Sequence, residues 1–324
     1  MRHFIFEFIT GGGLAGQALS SELAKEGGLM VQAIINDLRR MNTSEVSLFQ
    51  DSRLAIRPDD VDVIEIADDK YDSIFKYLQT DDCLWLIAPE SNQYLINYVS
   101  ECEKRKLNHF LSDSNTIKIC SNKLLTNNFL GKAGLPVIPS YIDVNRISEH
   151  TESFIIKPLY GAGAEDIFYL QDKACLTEKI NELENDFIFQ PYLEGESLSL
   201  SMLCAQGKHV LLACNEQHIT VNDNQFKLSA LDINTRLSEH DVLSRIACDI
   251  TAALPGLFGY IGVDLIKQSN RYYIVDINPR LSTSYAALFE STGINVLAQI
   301  IKLKSNTTLP KINIQQAKPV RLDL

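Results

Sequence analysis

The chain has 324 residues, 45% of them hydrophobic and 22% charged, with a mean hydropathy of −0.04. This length exceeds what one core usually holds and predicts two or three packed units, and no apolar run approaches the roughly 18 residues of a membrane helix. A formal charge of −11 and a pI near 5.1 repel a phosphate backbone and argue against nucleic acid as a partner.

The first 112 residues alternate strand and helix patterns. FIFEFI is an apolar strand that runs into Gly11, Gly13 and Gly16, a literal G-x-G-x-x-G. A helix is expected over residues 14–26 and a second strand over residues 30–35, with Asp37 where a ribose-binding acid would sit. This pattern raises a dinucleotide site, and with it an NAD-dependent oxidoreductase, as the first hypothesis. Beyond it come a helix near residues 44–50, the strand VDVIEI, a helix near 71–79, the strand CLWLIA, a helix over 91–104 and a short strand HFLSD. Lys104, Arg105 and Lys106 read as a solvated helix end, where cations meet the C-terminal dipole. Such alternation predicts a parallel sheet wound by right-handed crossovers, a Rossmann-like domain spanning residues 1–112.

Near Ser114 the texture changes to α+β. A capped helix carries residues 120–134 and stops at Gly134 and Pro136. The strands SYIDV, ESFIIKPL, DIFYL, DFIFQPYL, SLSLSMLCA and KHVLLACNEQHI follow, then a helix over 238–254, then YIGVDLIKQ and YYIVDIN joined by a tight turn at SNR. The segment from Leu303 reads as an edge strand or loose tail. Seven scattered cysteines without a C-x-x-C pair predict reduced packing residues, and the opening lacks the order of a signal peptide, so a cytoplasmic protein is expected.

The chemistry concentrates late in the chain. Residues i and i+2 of a strand share a face, so Asp276, Asn278 and Arg280 project together where the strand ends at Pro279. A carboxylate and an amide oxygen suit Mg²⁺, and an arginine beside them suits phosphate or carboxylate. Asp264 on the preceding strand supplies a second carboxylate. Taken alone, Asp276 and Asn278 read equally well as turn formers. The context of FIIKPLYGAGAEDIFYL favours a site: Lys157 ends a strand and precedes a glycine loop whose amides can fold over phosphates. Lys123 adds a second cation, and FIFQPYLEGES reads as a strand entering a hinge that can hold an adenine ring.

Four segments in this order, SNKLLTNNFLGKAGLPVIPS, IIKPLYGAGAEDI, FQPYLEGESLSLS and GVDLI with YYIVDINPRLSTSY, resemble the ATP-grasp superfamily over residues 113–287. The resemblance implies a Rossmann-like first domain over 1–112, then a two-lobed ATP-grasp domain with a small lobe over 113–189 and a large lobe over 190–324. It implies ATP and Mg²⁺ or Mn²⁺ as cofactors, with Asp264, Asp276 and Asn278 as metal ligands. Lys123 and Lys157 correspond to the phosphate-binding lysines, and Gly161, Gly163 and Glu165 belong to the phosphate-covering loop. Gln190, Tyr192 and Leu193 correspond to the adenine hinge, and Arg280 to an arginine that contacts the reacting phosphate or acyl group. Ser197 falls where many relatives carry a ribose-binding acid, which leaves that contact open and Glu196 as its neighbour.

The implied reaction is activation of a carboxylate to an acyl phosphate followed by amine attack. EFITGGG, LIAPES and NPRLSTSY are similar to a smaller group that includes the tyramine–glutamate ligases of methanofuran biosynthesis. That similarity implies joining the γ-carboxylate of glutamate to a small amine. Gly12 and Gly13 would then face substrate or pack beneath the site, and Glu90 would bind the substrate ammonium or else cap the following helix. Asn215 to His218 line an acceptor pocket or mark a strand end, the plainer reading being the strand end. Expected partners are small-molecule carboxylates and amines and, in assembly, a second copy of the chain. A non-catalytic ATP-binding module stands beside the oxidoreductase as an alternative, with Asp264, Asp276, Asn278 and Arg280 together arguing against it.

Overall fold

A computed structural model describes residues 2–67, 72–148, 151–162, 166–183, 186–222, 224–306 and 308–324. Its first part is a parallel sheet built from β1 (His3–Glu7), β2 (Val46–Asp51), β3 (Asp62–Ile66), β4 (Cys83–Ile87) and β5 (Asn108–His109), in the order β3-β2-β1-β4-β5. Helices α1 (Ser21–Arg40) and α2 (Tyr94–Arg105) cover it. The order reverses between β1 and β4, so a crevice opens beyond their C-terminal ends, where such sheets bind ligands. Residues 8–13 follow β1 and Glu90 follows β4, so both lie at that crevice.

Two expected elements change type. Residues 30–35 are not a strand: they lie inside α1, whose buried Met30, Val31, Ile34, Ile35 and Leu38 fall at helical spacing. Burying each such side chain contributes about 2 kcal/mol in transfer terms, which outweighs the β propensity of the isoleucines. The helix also begins later than expected, at the Ser20 cap, because residues 8–16 are spent on turns. Conversely, residues 44–50 form no helix; VSLFQD is β2, hydrogen-bonded between β1 and β3 and buried along most of its length.

The second part comprises α3 (Ser114–Ser121), α4 (Lys123–Lys132), β6 (Phe154–Pro158), β7 (Phe168–Leu170), α5 (Lys173–Glu182), β8 (Phe187–Pro191), β9 (Glu196–Ala205), β10 (Lys208–Asn222) and β11 (Gln225–Ile233). It continues with α6 (His240–Ala253), β12 (Gly259–Gln268), β13 (Arg271–Asn278), α7 (Leu288–Thr292), α8 (Val296–Asn306) and β14 (Val320–Asp323). An antiparallel sheet runs β13-β12-β9-β10-β11-β7-β6-β8, and β14 pairs with β11; of the edge strand or loose tail expected from Leu303, residues 303–306 belong instead to α8. SYIDV is not a full strand: Tyr141 makes a single bridge to Phe189, and Asp143 caps a short turn instead. Helices α5, α7 and α8 and strand β11 are not among the expected elements.

Strand alternation divides the packing. The even residues Leu198, Leu200, Met202 and Cys204 of β9 pack on Leu243, Ala247 and Ile250 of α6. Phe154, Ile156, Leu170, Leu176 and Phe189 form a separate core around β6, β7 and β8. A third core joins the two sheets, with Ile34, Ile35 and Leu38 of α1 in one cluster with Trp85, Leu203, Tyr260, Leu297 and Ile300. Polar contacts fasten the same seam: Tyr285 Oη donates to Asp37 Oδ2 at 2.9 Å, Asn295 Nδ2 donates to the Asp37 carbonyl at 2.7 Å, and Arg40 lies 3.4 Å over the Phe289 ring. Asp37 is therefore a buried seam residue on a helix, not an acid at the end of a strand.

Gly12 shows why the glycine turn takes its form. Its φ of +91° is one that side chains avoid, and a Cβ there would stand 2.7 Å from the Ile66 side chain. Gly12→Ala is expected to destabilise the fold by about 2 kcal/mol through backbone strain and overpacking. A lowered urea midpoint is the predicted outcome, and an unchanged midpoint would show that the turn tolerates a side chain there.

Candidate active site

The β12–β13 hairpin sets two carboxylates side by side, with Asp264 opposite Asp276 and Gly262 opposite Asn278. Asp264 accepts from Asn278 Nδ2 at 2.9 Å and from Gln217 Nε2 at 3.0 Å. Asn278 donates through its nitrogen, which keeps its amide oxygen as a further donor to a cation. The ladder shifts register between Asp264 and Leu265, and the carbonyl of Val275 at that irregularity accepts from Lys157 Nζ at 3.5 Å. Burial and the neighbouring Asp276 push Asp264 up to about 6.

Lys123 arrives from a different element. Asn122 caps α4 by accepting from the Leu125 amide, which makes Lys123 the first residue of that helix. A cation at a helix N-terminus opposes the macrodipole, and this one is also buried, so its place is not one that helix stability selects. Its Nζ donates to the Gly161 carbonyl at 3.0 Å and to Asp276 Oδ2. Lys157 is buried on β6, on the strand face shared with Ile188 and opposite the Phe154–Ile156 core. Burial pushes its ammonium down to about 8, with Asp276 opposing the shift and Lys123 adding to it. Two lysines and two carboxylates from α4, β6, β12 and β13 thus share one site.

Two carboxylates and an amide are hard oxygen donors that fit Mg²⁺. Among the described residues, no group of three His, Cys, Asp or Glu side chains is placed to hold a metal, so the amide of Asn278 is needed to complete a set of three protein donors.

The remaining expected residues divide. Gln190 is buried, and its Nε2 donates to Ser140 Oγ at 2.8 Å and to the Ile138 carbonyl at 3.3 Å, bracing the segment before β6. Tyr192 and Leu193 lie in the irregular link between β8 and β9; the Tyr192 amide donates to the Ser153 carbonyl at 3.0 Å and its ring meets Tyr169 edge-on at 4.9 Å. Glu196 pairs with Arg236, which also holds Glu216 at 2.8 Å, on the α6 face of the sheet. Gly163 and Glu165 lie outside the described residues. Gly12 and Gly13 are packed against Ile66 and Phe8.

Arg280 and Glu90 meet across the seam. Nε and Nη2 of Arg280 donate to the two oxygens of Glu90 at 3.0 and 2.8 Å, and both residues are buried. Each Glu90 oxygen therefore accepts one bond from the guanidinium.

The dinucleotide reading fails on geometry. Such a site needs the glycines to open a helix whose first amides face the pyrophosphate, followed by a strand ending in the acid. Here α1 starts at Ser21, beyond all three glycines, and Asp37 lies inside that helix.

Gln217 belongs to the stretch 215–218, for which the sequence offers an acceptor pocket or, more plainly, a strand end. Strand β10 instead continues to Asn222, and Asn215 donates to Ser199 Oγ at 3.3 Å while Gln217 reaches Asp264. The period-two polar pattern Ser199, Ser201 with Asn215, Gln217 was the available signal. Thr283, which donates to Glu26 across the seam, carried no such signal.

The family model for the ATP-grasp domain matches residues 120–284, just over half of the chain. Among curated proteins, the tyramine–L-glutamate ligase of Methanocaldococcus fervens is 27% identical over 311 residues, covering 94% of each chain. Among solved structures, an ATP-grasp superfamily protein from Archaeoglobus fulgidus aligns over 100% of this chain and 99% of its own, with a TM-score of 0.74 and 22% identity. The biotin carboxylase domain dimer of Hydrogenobacter thermophilus 2-oxoglutarate carboxylase, in complex with MgADP, ADP and bicarbonate, covers 98% of this chain and 72% of its own at a TM-score of 0.73 and 12% identity. At these identities the structural likeness shows the fold.

Proposed function

The chain belongs to the ATP-grasp family, and from that premise we propose that it is an ATP-dependent ligase that activates a carboxylate as an acyl phosphate and joins it to an amine. The observation that carries this reading is the meeting of Lys123, Lys157, Asp264 and Asp276 in one site, assembled from four elements. Likeness to a tyramine–L-glutamate ligase along nearly the whole chain supports the γ-carboxylate of glutamate and a tyramine-like amine as substrates. The reading includes a small lobe over 113–189 and a large lobe over 190–324, a hinge at Gln190, Tyr192 and Leu193, and a covering loop that takes in Gly163 and Glu165. A dimer, as in the biotin carboxylase relative, belongs to the same proposal.

In this mechanism a carboxylate oxygen attacks the γ-phosphorus, ADP leaves, and the amine then displaces phosphate from the acyl carbon. Lys123 and Lys157 hold the ATP phosphates, Arg280 contacts the reacting phosphate or acyl group, and Asp264, Asp276 and Asn278 would hold Mg²⁺. The metal, when bound, supplies charge neutralisation at the transferred phosphoryl group. Positioning and electrostatics are then the main catalytic terms, and no protein nucleophile is required.

A coupled ADP-release screen of amino acids with amines, including glutamate with tyramine, tests the reading, and added hydroxylamine traps the acyl phosphate as a hydroxamate. Release that needs both a carboxylate and an amine supports it; stabilisation by NAD and not by ATP with Mg²⁺ overturns it. Lys157 adds a pH signature. With a pKa near 8, its ammonium is protonated below that value and neutral above it, and bound phosphates favour the charged form. ATP binding is therefore expected to take up about one proton above pH 8 and almost none below pH 7. Calorimetry in buffers of different ionisation enthalpy reads this directly, and Lys157→Arg should remove it.

A further inference from the structure

A guanidinium carries five N–H donors, and three of those on Arg280 are accounted for: Nε and Nη2 to Glu90 at 3.0 and 2.8 Å, and Nη1 to the Leu281 carbonyl at 3.3 Å. The side-on edge is taken by Glu90. Among the described residues one donor on each Nη is left, and that of Nη2, beside the edge taken by Glu90, points off the end of the guanidinium, where it can meet an oxyanion. Glu90 stands beyond β4 at the crevice of the parallel sheet, while Arg280 stands two residues past Asn278 at the metal hairpin. The pair therefore ties the first sheet to the reacting end of the site across 190 positions of sequence.

We propose that Glu90 is a positioning residue that fixes Arg280, so that its remaining Nη donors meet the oxyanion developing on the substrate carboxyl group. The inference rests on the ligase reading. Because Glu90 neutralises the guanidinium, the pair exerts little net pull on a ground-state carboxylate. Its remaining Nη donors act where charge accumulates on the acyl oxygen, which is differential transition-state binding. Loss of Glu90 then appears in kcat and leaves KM almost unchanged.

Glu90→Asp is the decisive variant, because it keeps the charge and the pairing but draws the guanidinium back by one methylene. A displacement of about 1 Å is expected to lower kcat about 100-fold. Tm, the Kd of ADP and the KM values for carboxylate and amine should stay near the wild-type values. Glu90→Gln should lower kcat in the same way, and in an Arg280→Ala background it should have no further effect, since both changes remove one function. An ion pair that only holds the sheets together would leave kcat unchanged in Glu90→Asp, which overturns the proposal. A raised KM for an amino acid with kcat intact, together with no effect on an analogue lacking the ammonium, would make Glu90 a substrate ligand and also overturn it. If Glu90→Gln fails to fold, Glu90→Asp decides. Absence of turnover by the wild type would overturn the ligase reading and the positioning role with it; wild-type turnover matched by Glu90→Asp overturns the positioning role alone.

Discussion

Replacing Asp276 by asparagine is expected to lower amine-dependent ADP release by about 1,000-fold or more, with the fold intact. A bound divalent metal stabilises transition-state charge by several kcal/mol, and about 4 kcal/mol corresponds to that factor. Asp276 is central for a second reason. It pairs with Lys123, stands opposite Asp264 and supports the charge on Lys157. Asparagine keeps the shape of the side chain but removes the charge from all three relationships. Asp264 should then ionise more easily, because one of the causes raising its pKa is the neighbouring carboxylate. Steady-state kinetics with a Mg²⁺ titration, alongside circular dichroism, separates loss of metal from loss of fold. Full turnover in Asp276→Asn would remove the proposed metal site.

Arg280→Ala is expected to cost stability as well as activity. The substitution strands the Glu90 carboxylate, which is buried and bonded to the guanidinium through both oxygens. Breaking a buried ion pair from one side typically costs about 3 to 5 kcal/mol, because the remaining charge has lost its solvent and its partner. For a chain of this length that corresponds to a drop of roughly 4 to 8 °C in Tm. The double variant Arg280→Met with Glu90→Leu should recover most of that loss while remaining inactive. Differential scanning calorimetry on the two variants checks this, and equal Tm values for wild type and Arg280→Ala would show that the pair does not support the fold.

The site was more legible than the surrounding frame. Asp264 and Asp276 could be paired in advance, because SNR forces a hairpin and a two-residue period puts alternate side chains on one face. The lysines were legible from their contexts, Lys123 after a helix cap and Lys157 at the end of an apolar strand before a glycine loop. Residues 30–35 misled because a short apolar run fits a strand or a buried helix equally well, and only the wider spacing out to Leu38 separates them. The opposite error at residues 44–50 had the same origin, since VSLFQD is too short to show a period of its own.

Sequence by itself determined the kinds of groups that gather at the candidate site, their order along the chain and the two sheets that carry them. These depend on caps, turns and periodicities confined to a few residues, where local sterics and hydrogen bonding decide the outcome. Only the tertiary structure decided which groups are free to act. Lys123 rests on Asp276, Gln217 on Asp264, and Glu90 is held by Arg280, each by a partner far away in sequence. Asp37, which local pattern placed beside a ribose, lies instead against Tyr285 once α1 packs across the seam. Such pairings follow from the register of strands and the burial of a helix face, and neither is written in any single stretch of the chain.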